Sequence, residues 1–107
     1  MITITVKWAV KPEYAADFIE LTSDFTQATR AEPGCLWFDW SRSVDDPNEY
    51  VLVEAFRDGE AGGAHVGSEH FATAMATLGA YVSARPKIIS YEIDQDGWNE
   101  LGELQLP

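Results

Sequence analysis

The stretch "CLWFDWSRSVDDPNEYVLVEAF", residues 35–56, predicts two β-strands that are joined by a tight turn. Both halves are rich in aromatic and β-branched residues, which suit the half-buried surface of a sheet. Between them, "DDPN" at residues 45–48 consists of residues that favour turns. The stretch therefore predicts an antiparallel hairpin in the middle of the chain.

The segment before the hairpin predicts a strand followed by a helix. In "ITITVKWAV", residues 2–10, apolar residues recur at every second position, which is the period of a strand with one buried face. Pro12 suits the first turn of a helix, because its missing N–H would have no partner there. "EPG" at residues 32–34 ends this helix, with Gly34 able to take the left-handed conformation just past the last turn. The helix carries one apolar stripe: Tyr14, Phe18, Leu21, Phe25 and Ala28.

The segment after the hairpin predicts a weak helix, a second main helix and a last strand. The glycines of "GEAGGAHVG", residues 59–67, each lower helix stability by up to about 1 kcal/mol. Ser68 is a suitable N-cap for the main helix that follows. "KIISYEI", residues 87–93, predicts the last strand. The second main helix has its own apolar stripe: Phe71, Met75, Leu78 and Val82.

The resulting order βαββαβ predicts a ferredoxin-like α+β fold, with an antiparallel sheet and both main helices on one face. The other face is then left without a cover, although apolar residues lie on it. An exposed apolar sheet of this size favours association, so we expect a homodimer whose two sheets pack face to face as a barrel. Strand parity predicts these residues on the uncovered face: Cys35, Trp37, Val51, Val53 and Ala55.

The composition excludes several classes of function. The chain has 107 residues and a formal charge of −11, and its basic residues are scattered, which argues against nucleic acid or an anionic membrane as a partner. The chain contains no apolar run of the roughly 20 residues that span a bilayer, and we expect a cytoplasmic protein. Cys35 is the only cysteine, which excludes an internal disulfide and a cysteine-rich metal site.

The chain resembles the antibiotic biosynthesis monooxygenase family, a group of dimeric α+β barrels that includes quinol monooxygenases. The resemblance lies in "EPGCLWFDW" at residues 32–40, "DDPNEYVLVEAF" at residues 45–56 and "AHVGSEHF" at residues 64–71. It implies a family domain over residues 1–96. The tail, residues 97–107, falls outside it, and we expect its apolar side chains to pack at the dimer interface.

The resemblance implies several activities, because the family contains cofactor-independent oxygenases, haem-degrading relatives and an isomerase. The haem-degrading pattern has an asparagine, a tryptophan and an iron-binding histidine where this chain has Val6, Phe56 and Met75. Met75 also lies on the apolar stripe, where methionine is more often core than ligand. Haem degradation is therefore disfavoured.

Three polar residues are candidates for catalysis. His65 and His70 lie where family members commonly carry histidine, and an imidazole that titrates near pH 6.5 suits proton transfer. His65 is the candidate proton acceptor, or alternatively packs under the glycine-rich segment. His70, near a helix N-terminus, is expected to be a neutral hydrogen-bonding partner. Glu54 interrupts an apolar strand and would orient a histidine, bind a substrate hydroxyl or pair with an arginine, the candidates being Arg30, Arg42 and Arg85.

The walls of a substrate pocket are predicted from aromatic residues, with plain core packing as the alternative: Trp8, Phe38, Trp40 and Phe56. We expect no metal, since histidines five residues apart do not share a helical face as the pair of a zinc helix does. We also expect no nucleotide cofactor, since the chain has no glycine-rich phosphate loop.

Three functions follow as hypotheses. The first is a cofactor-independent monooxygenase that oxidises a small quinol, phenol or other enolisable aromatic with molecular oxygen. The second is an isomerase that moves a proton within a small carbonyl or sugar-derived compound. The third is a dimeric protein that binds a small molecule without changing it.

Overall fold

The computed structural model of the chain describes residues 1–107 and contains one antiparallel sheet of four strands. The strands are β1 (Ile2–Ala9), β2 (Cys35–Arg42), β3 (Glu49–Phe56) and β4 (Lys87–Glu92). Their order in the sheet is β2-β3-β1-β4. The two strands of the predicted hairpin are therefore neighbours, and β1 lies between β3 and β4. This order confirms the predicted ferredoxin-like fold.

The register of the sheet decides which residues share a face. On β1 and β3, Val6 pairs with Leu52 and Ile4 pairs with Glu54. We call the side that packs against the helices the covered face; its residues include Val6, Trp8, Phe38, Leu52, Glu54 and Phe56, all buried. The opposite side is the open face; its residues include Trp37, Val51, Val53, Ile89 and Tyr91.

The first predicted helix is broken into three short helices. These are α1 (Pro12–Ala15), α2 (Phe18–Leu21) and α3 (Ser23–Arg30). At the second break, the Oγ1 of Thr22 donates to the carbonyl of Phe18 over 3.0 Å, a side-chain bond that competes with the regular helical pattern. Phe18 and Phe25 of the predicted stripe are buried, whereas Leu21 is 37% exposed.

The helices between β3 and β4 begin where the sequence predicts. They are α4 (Gly59–Val66), α5 (Glu69–Thr77) and a 3₁₀ turn (Leu78–Tyr81). Ser68 caps α5 as predicted, with its Oγ accepting from the backbone N–H of Phe71. Asp58 caps α4 by accepting from the N–H of Ala61 over 2.8 Å. These caps satisfy donors that would otherwise lack partners at the helix starts.

Gly34 does not adopt the left-handed conformation that a glycine can take past the end of a helix, because no glycine has a positive φ. Gly34 is required for a different reason: a Cβ added at this position would lie 2.3 Å from the Cβ of Ala61 in α4. The turn before β2 and the first turns of α4 can approach this closely only without a side chain at residue 34.

The predicted position of Cys35 on the open face is also wrong. The pairing between β2 and β3 is irregular between Cys35 and Trp37, so the alternation of faces is interrupted there. Cys35 packs against the core of the covered face. Burial raises the pKa of its thiol to about 11, with the charges of Glu32 and Glu54 as further causes. The thiol is therefore protonated at neutral pH.

Met75 does not belong to the core as the helical stripe predicts. Its side chain is 51% exposed, whereas Ala74 beside it is 2% exposed. The buried positions of this segment are Ala74 and Leu78, which are four residues apart and 2% and 4% exposed, whereas the predicted stripe pairs Met75 with Leu78 at a spacing of three. The stripe predicted the helix but placed two residues wrongly: Met75 is half-exposed, and Val82 lies beyond the helix in an extended conformation, paired with Val10.

The open face is only partly covered by the chain itself. Ile89 and Tyr91 on β4 are 66% and 57% exposed. In the tail, the ring of Trp98 lies 5.0 Å from that of Trp37, which places part of the tail on this face. Trp98 remains 76% exposed. The homodimer and the packing of the tail at its interface stay predictions.

None of the helices is both long enough and apolar enough to span a lipid bilayer.

Candidate functional site

A cavity of about 260 Å³ opens between the covered face and α5. Glu54 and His65 contribute its buried polar groups, and Arg85 contributes an exposed one. The volume lies below the roughly 300–1,000 Å³ of sites for drug-sized ligands, so the cavity suits a single-ring molecule. The rest of its lining is apolar: Val6, Trp8, Phe25, Leu52, Phe71, Met75, Pro86 and Ile88.

Glu32 connects the two histidines, although sequence reasoning did not select it. Its Oε2 lies 2.8 Å from the Nδ1 of His65 and 2.5 Å from the Nε2 of His70. The side chains of His65 and Glu32 are 5% and 14% exposed. Glu32 is the first residue of "EPG", and these three residues are interpreted from the sequence as the end of a helix, with no functional role for the carboxylate. The sequence contained one signal that could have indicated Glu32: it is a carboxylate that directly precedes an apolar strand, in a chain with only two histidines.

The local sequence brings these groups together from three elements. Glu32 lies in the turn before β2, and the close approach of Gly34 to Ala61 draws that turn toward α4. His65 lies in the last turn of α4 and His70 in the first turn of α5. Between them, the Oγ of Ser68 donates to the carbonyl of His65 over 2.7 Å and so fixes the link between the helices.

The hydrogen bonds to Glu32 determine which nitrogen of His65 is left to accept a proton from a ligand. An ionised carboxylate only accepts, so Glu32 receives the Nδ1–H of His65 and the Nε2–H of His70. This leaves the Nε2 of His65 as an acceptor. It lies 3.9 Å from the Oε1 of Glu54, too far for a hydrogen bond between them. One oxygen atom of a ligand can reach both groups across this gap.

Burial of Glu54 raises its pKa to about 7, and the negative charge of Glu32 contributes in the same direction. Desolvation disfavours the ionised form, as does a like charge nearby. Arg30 and Arg42 do not pair with it: they donate to the carbonyls of Phe38 and Pro47. Glu54 is therefore a carboxyl group that can still hold a proton near neutral pH.

His70 is joined to the site through Glu32 and does not line the cavity. It lies on a separate groove of about 480 Å³ between α3 and α5. Its side chain is 25% exposed, compared with 5% for His65. This position makes His70 a partner that holds Glu32, while His65 is the histidine that a ligand in the cavity can contact.

The four aromatic residues predicted as pocket walls are divided by the structure. Trp8 lines the cavity. Phe56 stacks on the His65 ring at 4.7 Å and Phe38 lies 6.0 Å from it, so both support the histidine from behind. Trp40 lies elsewhere, with its indole N–H donating to the Oγ1 of Thr26 over 2.9 Å. Phe25, Phe71 and Met75 line the cavity and were not selected from the sequence.

Glu32, His65 and His70 are also the groups that could hold a metal ion. Their donor atoms lie within 4.8 Å of one another. Tetrahedral zinc with bonds of 2.0–2.1 Å would keep its donor atoms about 3.3 Å apart, wider than the hydrogen bonds that join them here. A metal would therefore have to open this network. The expectation that the chain binds no metal stays a prediction.

Comparisons with known proteins agree with this architecture. Residues 1–77 match the family described as "Antibiotic biosynthesis monooxygenase". A protein of Bacillus subtilis strain 168 named "Putative monooxygenase YcnE" is 27% identical over 95 residues, which are 89% of this chain and 100% of that protein.

Two solved structures have the same fold. One, titled "Putative antibiotic biosynthesis monooxygenase from Nitrosomonas europaea", has a TM-score of 0.80 at 28% identity, over 89% of this chain and 100% of that one. Another, with the same description from Deinococcus radiodurans, has a TM-score of 0.83 at 25% identity, over 95% and 100%. These names support a monooxygenase-like function in general terms. Because the family match covers well over half of its residues, the chain belongs to the antibiotic biosynthesis monooxygenase family.

Proposed function

We propose that the protein is a cofactor-independent monooxygenase that oxidises a small quinol, phenol or other enolisable aromatic with molecular oxygen. The observation that carries the proposal is the 3.9 Å gap between the Nε2 of His65 and Glu54 in an otherwise largely apolar cavity. A ring hydroxyl that lies beside this pair of atoms can contact both, the Nε2 of His65 as an acceptor and the carboxyl group of Glu54 as a donor.

Proton transfer follows from the two groups that face the gap. The substrate hydroxyl donates to the Nε2 of His65, which takes the proton while Glu32 stabilises the imidazolium through Nδ1–H. Glu54 in its protonated form donates to the same substrate oxygen. As negative charge develops on that oxygen, the hydrogen bond from Glu54 strengthens and stabilises the anion.

Oxidation then requires no electrons from the protein. A quinolate is electron-rich and can reduce dioxygen itself. One oxygen atom enters the ring and the other leaves as water, so that a quinol and dioxygen yield a hydroxyquinone and water. The apolar lining holds the ring and excludes solvent from the reactive intermediate.

Oxygen uptake with a quinol panel tests this function. We expect one dioxygen consumed per quinol, and a product that carries one labelled oxygen atom when the reaction is run under isotopically labelled dioxygen. Activity should survive treatment with chelators. A bound metal whose removal by EDTA abolishes turnover would contradict the cofactor-free reaction.

The same groups also suit an isomerase, because a base beside a carboxyl group can move a proton within a small carbonyl compound. Product formation without oxygen uptake would favour that hypothesis. Tight binding of the panel without any product would favour a non-catalytic binding protein.

A further inference from the structure

We infer that the cavity selects aromatic substrates that carry a negatively charged group, a carboxylate above all, and that Arg85 binds this group. The inference rests on the proposed function for the reacting end of the molecule and adds the chemistry of its other end. It is carried by the position of Arg85, by its free guanidinium and by the largely apolar wall between it and the buried polar groups.

Arg85 is the one cationic side chain, histidines apart, that lines the cavity. Arg85 is exposed, whereas Glu54 and His65 are 5% and 4% exposed, so the cation lies at the mouth and the proton-transfer groups lie at the floor. Apolar residues form most of the wall between them. A small aromatic molecule that places one hydroxyl at the floor can therefore carry a second substituent that reaches Arg85.

The guanidinium of Arg85 has no partner within the chain. Arg30 pairs with Asp39, Arg42 donates to the carbonyl of Pro47 and Arg57 pairs with Asp58. Arg85 makes no ion pair or hydrogen bond, although the chain has 18 acidic residues. Its planar fork of donors matches a carboxylate in a bidentate arrangement.

The backbone holds Arg85 at the mouth before any ligand binds. The N–H of Ser83 donates to the carbonyl of Ala9 over 2.9 Å, and β4 pairs with β1 from Lys87 onward. Pro86, which also lines the cavity, restricts Arg85 to an extended backbone. Anchoring on both sides keeps the backbone of Arg85 beside the cavity, so that only its side chain has to be ordered when a ligand binds.

An anionic ligand also suits the electrostatics of the site. The formal charge of −11 repels anions in general, so a site for one needs a local cation. Glu54 can remain protonated beside the ligand, as described above, and Glu32 is turned to the two histidines and does not line the cavity. Glu54 is therefore the only carboxyl group in the cavity lining that could compete with an anionic ligand for Arg85.

Binding of two matched probes tests this inference without turnover. The probes are 2,5-dihydroxybenzoate and 2,5-dihydroxybenzamide, which share the ring and both hydroxyls and differ in charge. Measured by calorimetry without oxygen, the benzoate should bind the unmodified chain at least about 10-fold more tightly. Arg85→Gln should remove this difference by weakening the benzoate alone, and added salt should reduce it.

Lys87→Gln is the matched control, since it removes the same charge two residues away. Lys87 pairs with Lys7 on the sheet and lies on the open face, so its loss should leave both affinities unchanged within about 2-fold. Equal binding of the two probes, binding of neither at millimolar concentration, or equal weakening of both by Arg85→Gln would overturn the inference.

The outcomes separate this inference from the proposed function. If the benzoate is preferred but no quinol consumes oxygen, the anion site stands and the oxygenase proposal fails. If quinols consume oxygen while the two probes bind equally, the oxygenase proposal stands and the role of Arg85 fails.

Discussion

The covered face and the open face of the same sheet differ in how completely the chain buries their apolar side chains and pairs their polar groups. On the covered face, the polar network of Glu32, His65 and His70 is hydrogen-bonded and at most 25% exposed, with Phe56 packed behind it. On the open face, apolar side chains such as Ile89 remain 66% exposed. One chain therefore builds the candidate site but leaves an apolar surface that favours association.

Removal of the His65 imidazole should produce the largest effect, on the covered face. We expect His65→Ala to lower turnover about 10²- to 10⁴-fold, because the proton acceptor is lost. From the sequence alone, a histidine in the glycine-rich segment at residues 59–67 predicts a stability change within about 1 kcal/mol. The buried bond to Glu32 raises the expected cost to about 1–3 kcal/mol, since a buried carboxylate loses a donor. Steady-state rates and thermal melts measure both.

Met75→Ala is the control for this variant, because Met75 lines the same cavity without polar chemistry. The helical stripe predicts a cost of roughly 2–5 kcal/mol for this truncation, as for a core residue. Its half-exposed side chain lowers the expectation to less than about 1 kcal/mol. Turnover should change through KM more than through kcat. An active His65→Ala enzyme would place the base elsewhere, with Glu54 next.

A single charge on the open face should prevent the predicted association of two chains. We expect the unmodified chain to be a homodimer at micromolar concentration in light scattering, and Ile89→Lys to be a monomer, because a lysine would be buried between two apolar sheets. Deletion of residues 97–107 should weaken association. Val44→Lys is the control, since Val44 is 99% exposed in the hairpin turn. A monomeric unmodified chain would contradict the predicted barrel.

Glu54 should make the stability of the covered face depend on pH. Its pKa is raised from 4.5 to about 7, so between these values the folded chain holds a proton that the unfolded chain has released. Stability therefore falls as the pH rises through this window, by roughly 3 kcal/mol, and levels off above it. Glu54→Gln should lack this loss. Urea denaturation at about pH 5 and about pH 8 measures it.

Two controls sharpen the Glu54 test. Glu103→Gln, at an exposed position in the tail, should leave the pH dependence unchanged. Turnover should fall above about pH 7 in the unmodified enzyme, because ionised Glu54 no longer donates to the developing anion, and this fall should be absent in Glu54→Gln. An unaltered alkaline limb in that variant would assign it to another group.

The approach of Gly34 to α4 should give the smallest effect. A Cβ at Gly34 would overlap the Cβ of Ala61, so Gly34→Ala should cost about 1–3 kcal/mol and displace the helix that carries His65. Gly62→Ala is the matched control in α4: nothing lies within 4 Å of its added Cβ, and it should stabilise by up to about 1 kcal/mol. Equal stability of the two variants would show that the contact is not tight.

The sequence by itself determined the order of elements, the hairpin and the cap at Ser68. Alternation in "ITITVKWAV" and the turn residues of "DDPN" are local signals, because they depend on side chains within a few residues of one another. The same local signals failed at two positions. The interruption before Trp37 places Cys35 on the covered face. On α5, Ala74 is buried and Met75 beside it is half-exposed, because the spacing of apolar residues does not decide which of two adjacent ones faces the core.

Only the tertiary structure decided the composition of the site. From the sequence, His65, His70 and Glu54 were selected by chemistry and resemblance, but Glu32 lies 33 residues from His65 and 38 from His70. Periodicity predicts which face a residue occupies and carries no information on which distant turn packs beside it. That contact exists because the turn at Gly34 has no side chain and can approach Ala61, which brings the Glu32 carboxylate between the two imidazoles.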